Sequence, residues 1–548
     1  MGVLLRGSVI RPRALLVLVG MVGVGLPLLL AGTTGSLAIP HNDAWSHSKI
    51  AQHFAATGEL QLVGWNRASL VGQIVVLGPL GSSITIQQVF TALTAVLGLT
   101  ASYLFLLPRL GHSRAAFGIA CIAAVPEFGL LSTSYMSDMP AFACLAGALW
   151  LADKGLREQH HGWLLLALVL AVWGVTIREQ ALAAVVAVML VGFVRLRQPR
   201  QRLVLLIGLA GTLAALAAFE LYRRGLAYGD PPQVAFNVRQ GARFSVATTF
   251  TLALYVSPAV AAVVRPWAWT LAGKTSGVVA LALSLFWFFK THGQVLLGNY
   301  LDANGAYAGA SQGSRTVLSS HIVASLALVA CLSLAGLVGH GVSGRVQVDS
   351  LMAIFLLAFT VGTVGQALIG QSVFARYLLP ALPVVLKAIL ATPVTGAPAP
   401  MGAIRHVAPT LILVALATIS TALTSNALAY DAARWHAARD AVASGIPAVS
   451  IDAGLEWDGY HAPGPADQRA VPSGHQSYFF SMFTTAQPCV TISGSRLQGR
   501  DPDATYSYRT FAWVGHAQLS LYRWACQKVA PYSPQQPQLN RRSPKNGA

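Results

Sequence analysis

Apolar runs recur along most of the chain, separated by short polar breaks. A membrane-spanning helix needs roughly 20 such residues, because its backbone groups find no water in lipid and must bond within the helix. A first run covers 14–31. Others fall near 83–107, 115–132, 139–152, 162–177, 180–194, 203–222, 246–264, 275–290, 318–340, 350–371, 378–391 and 408–428. The pattern predicts an all-α polytopic membrane protein with about 13 transmembrane helices over 1–428. The basic segment before the first run, and the small residues of "GSLA" after it, also fit a signal peptide. The many spans that follow favour a retained first span.

From residue 429 the pattern changes. "DAARWHAARDAVASG" reads as a helix ended by glycine, and "IPAVSID", "PCVTIS" and "TYSYRTFAWV" read as strands. Residues 429–530 are expected to form a small α+β extracytoplasmic domain, and 531–548 a disordered tail.

Composition agrees with the membrane assignment. The chain is 54% hydrophobic, 10% charged, and has mean hydropathy +0.57. Its net charge of +18 would point to nucleic acid in a soluble protein. Here arginines cluster in short loops such as "RLRQPRQR" (195–202), which the positive-inside rule places in the cytoplasm, and no aromatic residues interleave with them. Membrane lipids are the expected partners, and nucleic acid is not. With the N-terminus cytoplasmic, an odd number of spans leaves the C-terminal domain outside a multi-pass protein of the cell membrane. About 16 Lys/Arg then fall inside and about 10 outside over 1–428.

The acids change the picture more. In that region only Asp153, Glu158 and Asp349 fall inside, and the other acids gather at outer helix ends. The outer loops at 32–82, 223–245 and 291–317 are also longer than the inner ones, and long loops commonly carry function. Cys121, Cys144 and Cys331 lie in apolar spans. Cys489 and Cys526 are candidates for a disulfide closing a loop of about 38 residues, worth roughly 4 kcal/mol.

Five stretches carry chemistry-bearing residues. "HNDAWSH" (41–47) places Asp43 and His47 on one helix face, with Asn42 as N-cap and Trp45 as an interfacial anchor. "STSYMSDMPAF" holds Asp138 just before a proline suited to a first helical turn. "TIREQAL" holds Arg178 between two apolar runs, where it needs an anion: its neighbour Glu179 or a phosphate. The loop 222–245 carries Arg223, Arg224, Arg239 and Arg243, which suit headgroup binding or a phosphate site. "QSVFARYLLPALP" sets Arg376 and Tyr377 before Pro380 and Pro383, which break the helix ladder. Each stretch also has a plain structural reading as a cap, kink or interfacial residue. Acids can deprotonate a nucleophile, and arginines can stabilise a phosphate leaving group.

With these residues in view, the chain resembles the GT-C superfamily of integral-membrane glycosyltransferases, especially the protein-mannosyltransferase and aminoarabinose-transferase branch. Asp43 after the first span, "SDMP" with Asp138, and the Arg-Tyr-x-x-Pro-x-x-Pro of "RYLLPALP" carry the resemblance, which covers about 1–428. It implies inverting transfer of a sugar from a polyprenyl-phosphate donor to the hydroxyl of a glycan, lipid or protein acceptor on the outer face. Asp43 would be the general base. Arg376 and Arg178 would hold the donor phosphate, and Asp138 would orient the acceptor or support the base. Tyr377, His47 and Arg239 are further substrate-binding candidates. Many members carry a second acid beside the first, where this chain has Asn42 and Ala44. No cofactor is expected as a certainty, with His41, Asp43 and His47 as the set for a possible divalent metal. The alternative from another class is a transporter or flippase of lipid-linked sugars, which would place its charges near the membrane midplane and in repeated halves.

Overall fold

A computed structural model describes residues 12–63, 71–226, 235–298, 301, 317–392, 404–463, 488–494, 496–497, 499–511 and 514–525. Seven described helices are long and apolar enough to cross a membrane. They become eight if Val238–Tyr255 and Ser257–Val263, bent by 60° at their junction, form one span. The expected count of thirteen included shorter pieces. His161–Val175 and Leu182–Arg195 have 15 and 14 residues, and Asp138–Glu158 carries acids at both ends.

Sequence punctuation sets the breaks. The helix Ile84–Ala123 is interrupted at Gly111, whose φ of 70° lies in the left-handed region that favours glycine. Ser83, Asn237, Thr270, Ser319 and Asp349 each accept a backbone N–H at a helix start. The two prolines of "RYLLPALP" do not kink one helix. Residues Ala375–Ala381 form a 3₁₀ stretch containing Pro380, and Pro383 then lies in the first turn of Leu382–Leu390.

Two ion pairs pin the same two segments. Arg376 and Asp138 meet at one end. Asp153 lies fifteen residues along the Asp138 helix, about 22 Å at 1.5 Å per residue. There it bonds the buried Lys387 of the Arg376 segment at 2.9 Å. Lys387 also sits 3.8 Å from the Phe105 ring centroid.

The helix Ile404–Ala443 runs unbroken past residue 428. The larger apolar core includes Leu428, and the smaller one takes in Ala429, Trp435, Ala438 and Ala441 of the same helix. The C-terminal unit adds the helix Leu455–His461 and a four-stranded sheet in the order β1-β2-β4-β3. Its strands are β1 (Ile451–Asp452), β2 (Val490–Ser493), β3 (Ala504–Thr510) and β4 (Gly515–Arg523). β1 and β2 are parallel and the other pairs antiparallel, and no pairing among the described residues joins the end strands β1 and β3, so the sheet is open rather than a barrel. Cys489 is disulfide-bonded, and Cys121, Cys144 and Cys331 are free. Cys526 and the tail 531–548 lie outside the described residues.

Candidate active site

Four charged residues far apart in sequence meet where helices begin or end. Asp43 is the N-cap of Ala44–Thr57. Asp138 opens Asp138–Glu158. Arg178, in extended conformation, precedes the 3₁₀ turn Glu179–Ala181. Arg376 lies in the 3₁₀ stretch before Leu382–Leu390. In an apolar chain such ends are where polar side chains can converge without breaking a helix ladder.

Arg376 Nη2 donates to Asp43 Oδ2 at 3.2 Å. Its Nε lies 3.8 Å from Asp138 Oδ1, the same oxygen that accepts from Arg178 Nη1. The order is therefore Asp43–Arg376–Asp138–Arg178, two anions and two cations. Asp138 and Arg376 are buried, while the Asp43 side chain keeps 23% exposure. Tyr377 lies beneath both cations, with its ring centroid 4.5 Å from Arg178 Cζ and 5.7 Å from Arg376 Cζ. A guanidinium over an aromatic face is held electrostatically, so this ring fixes both forks.

His47 is buried beside the quartet, edge-on to Tyr135 at 6.5 Å. Burial pushes its pKa down to about 4, with Arg178 and Arg376 adding to the depression and Asp43 and Asp138 opposing it. It is neutral at physiological pH and acts as a hydrogen-bonding group rather than a cation.

Several expectations change. Asn42 is not the N-cap; it takes a left-handed φ of 53°, and Asp43 caps without a side-chain bond. Trp45 is not a membrane anchor. It is 1% exposed and packs on Gly459 of the C-terminal unit. His41 does not join Asp43 and His47, because its ring is bonded to Asp431 at 2.6 Å. Among the described residues no group of three His, Cys, Asp or Glu side chains is placed to hold a metal ion. Arg178 takes Asp138, not Glu179, as its anion; Glu179 is exposed and 3.9 Å from Arg223. Arg223 and Arg224 bond Glu220. Arg239 is exposed on the first turn of Val238–Tyr255.

Two neighbours were not singled out by sequence. Glu127 is fully buried and accepts a hydrogen bond from Tyr255. Tyr135 is 1% exposed and packs against Phe90 as well as His47. An acid inside an apolar run was the available signal for Glu127. Tyr135 gave none.

These features define a polytopic helical membrane protein with an acid–arginine site at its helix ends. The family of dolichyl-phosphate-mannose-protein mannosyltransferases matches residues 76–222, which include Asp138 and Arg178. Over that segment the chain is similar to this family of membrane glycosyltransferases. Two solved structures are also similar. The crystal structure of ArnT from Cupriavidus metallidurans bound to undecaprenyl phosphate has TM-score 0.41 and 11% identity, over 81% of this chain and 84% of that one. The Archaeoglobus fulgidus oligosaccharyltransferase tethered with an acceptor peptide has TM-score 0.29 and 14% identity, over 76% of this chain and 57% of that one. No curated protein sequence matches the chain.

Proposed function

We propose that the protein is an inverting glycosyltransferase moving a sugar from a polyprenyl-phosphate donor to an acceptor hydroxyl outside the cell membrane. The observation that carries this reading is the 3.2 Å contact of Asp43 with Arg376, joined through Asp138 to Arg178. The acids at expected outer helix ends and the disulfide-bonded Cys489 support the outward orientation, because disulfides persist in oxidising compartments.

At rest Arg376 is occupied by two carboxylates. A donor phosphate arriving at Arg376 and Arg178 competes for the guanidiniums and releases Asp43. Asp43 then takes the proton of the acceptor hydroxyl as its oxygen bonds the anomeric carbon. The bond from that carbon to the phosphate oxygen breaks on the opposite face, which inverts configuration. The leaving phosphate gains a negative charge as that bond breaks, so the arginines bind the transition state more tightly than the donor. Asp138 holds the two guanidiniums in register, Tyr377 orients them, and His47 offers a neutral hydrogen-bonding group beside the base.

The test supplies purified protein in liposomes with a labelled polyprenyl-phosphate sugar or the matching nucleotide sugar. Transfer from the lipid donor alone, with inverted anomeric configuration, is expected. Transfer from the nucleotide sugar, or retention of configuration, would overturn the reading.

A further inference from the structure

A second charged network lies behind the site, where the C-terminal unit meets the first loop. His41 and Asp431 are both 0% exposed, and their side chains meet at 2.6 Å. The other ring nitrogen of His41, Nε2, lies 3.2 Å from the Ser36 carbonyl. Both ring nitrogens are thus engaged, one by Asp431 and one by the Ser36 carbonyl, which fixes the orientation of the ring. The second oxygen of Asp431 accepts from Arg434 at 2.9 Å, and the same Arg434 nitrogen bonds Glu456. Gly454 lets that guanidinium lie against the backbone, since a Cβ there would collide with it.

His41 also ties the site by its backbone. Its carbonyl accepts from Ser134 Oγ at 2.9 Å, four residues before Asp138. It accepts from Ala44 N at 3.1 Å, closing the turn in which Asn42 is left-handed and Asp43 follows. The His41 ring and carbonyl therefore hold the turn that aims Asp43 at Arg376 and the irregular segment that leads to Asp138.

We propose that Asp431, itself held by Arg434 and Glu456, is a positioning residue for glycosyl transfer. Through His41 it sets the direction of Asp43, which makes the C-terminal unit part of the catalytic apparatus rather than an appendage. This rests on Asp43 acting as the base.

The experiment measures turnover and donor KM for Asp431→Asn and Glu456→Gln in liposomes, beside Asp43→Asn. Misaligning a reacting group by about 1 Å costs up to 100-fold, so Asp431→Asn is expected to lower kcat about 30-fold and leave donor KM within about threefold. Glu456→Gln, one contact further away, is expected to lower kcat by a smaller factor with the same unchanged KM. Wild-type kcat in a monodisperse Asp431→Asn protein overturns the proposal, as does a fall in activity carried by donor KM. If Asp431→Asn does not fold, Glu456→Gln decides by the same two numbers. Normal transfer by Asp43→Asn would remove the base reading and this proposal together. Loss in Asp43→Asn with wild-type turnover in Asp431→Asn would remove only the positioning role.

Discussion

Replacing Asp43 by asparagine separates chemistry from folding. The side chain keeps its shape and can still hydrogen-bond Arg376, but it loses the charge and cannot accept a proton. At 3.2 Å and an effective dielectric of about 20, the Asp43–Arg376 attraction is about 5 kcal/mol before desolvation. Asp138 lies 3.8 Å from the same guanidinium, which gives about 4 kcal/mol on the same basis. Arg376 thus keeps nearly half of its anionic field in the variant. With Asp43 already partly exposed, the net cost in stability is about 1–2 kcal/mol. Loss of a general base costs about 10²–10⁴-fold in rate. The expected result is a folded protein with turnover reduced by at least a hundredfold and a donor KM no higher than that of the wild type, because the carboxylate that competes with the donor phosphate for Arg376 has lost its charge. The assay is steady-state transfer from a labelled polyprenyl-phosphate sugar in liposomes, with unfolding followed in parallel. Turnover within threefold of wild type would refute the assignment; a large rise in donor KM with unchanged kcat would make Asp43 a binding residue instead.

Arg376→Lys keeps the charge but loses the two-pronged donor, so donor KM should rise about tenfold or more while the protein remains folded, as read from initial rates. His47 has its pKa lowered from the ordinary 6.5 to about 4, so its contribution to stability is complete above pH 6.5 and is lost as the pH falls towards 4, about 3 kcal/mol in all. Unfolding midpoints measured across that range should fall in the wild type, and His47→Gln should flatten this part of the slope. Gly459→Ala sets a methyl 2.5 Å from the Trp45 ring and should destabilise the contact between the first loop and the C-terminal unit by about 1–3 kcal/mol, visible in thermal unfolding. Asp153→Asn leaves Lys387 buried without its carboxylate and should cost about 3–5 kcal/mol while donor KM is unchanged in the folded fraction.

Much of the site was legible because charge is costly in an apolar chain. Asp43, Asp138, Arg178 and Arg376 each interrupt or border an apolar run, and each proves to be at a helix end in one cluster. What sequence withheld was the partner. The anion of Arg178 lies forty residues away rather than next door, and that of His41 lies 390 away. Local spacing carries no trace of either. Trp45 misled for a related reason: an indole at an expected interface reads the same whether it meets lipid or a domain arriving from the far end of the chain. The span count of thirteen is not confirmed among the described residues: hydropathy reports apolar length, whereas the Glu179–Ala181 turn and the bend before Ser257 divide apolar sequence into shorter helical pieces.

The pairing of one helix with the Arg376 segment at both of its ends turns residue number into a gauge. Between Asp138 and Asp153 every inserted or deleted residue rotates one end by about 100° and shifts it by 1.5 Å against the other. No single side-chain adjustment can serve Arg376 and Lys387 together after such a change. Along this helix the chain can vary its letters, but it cannot vary its length.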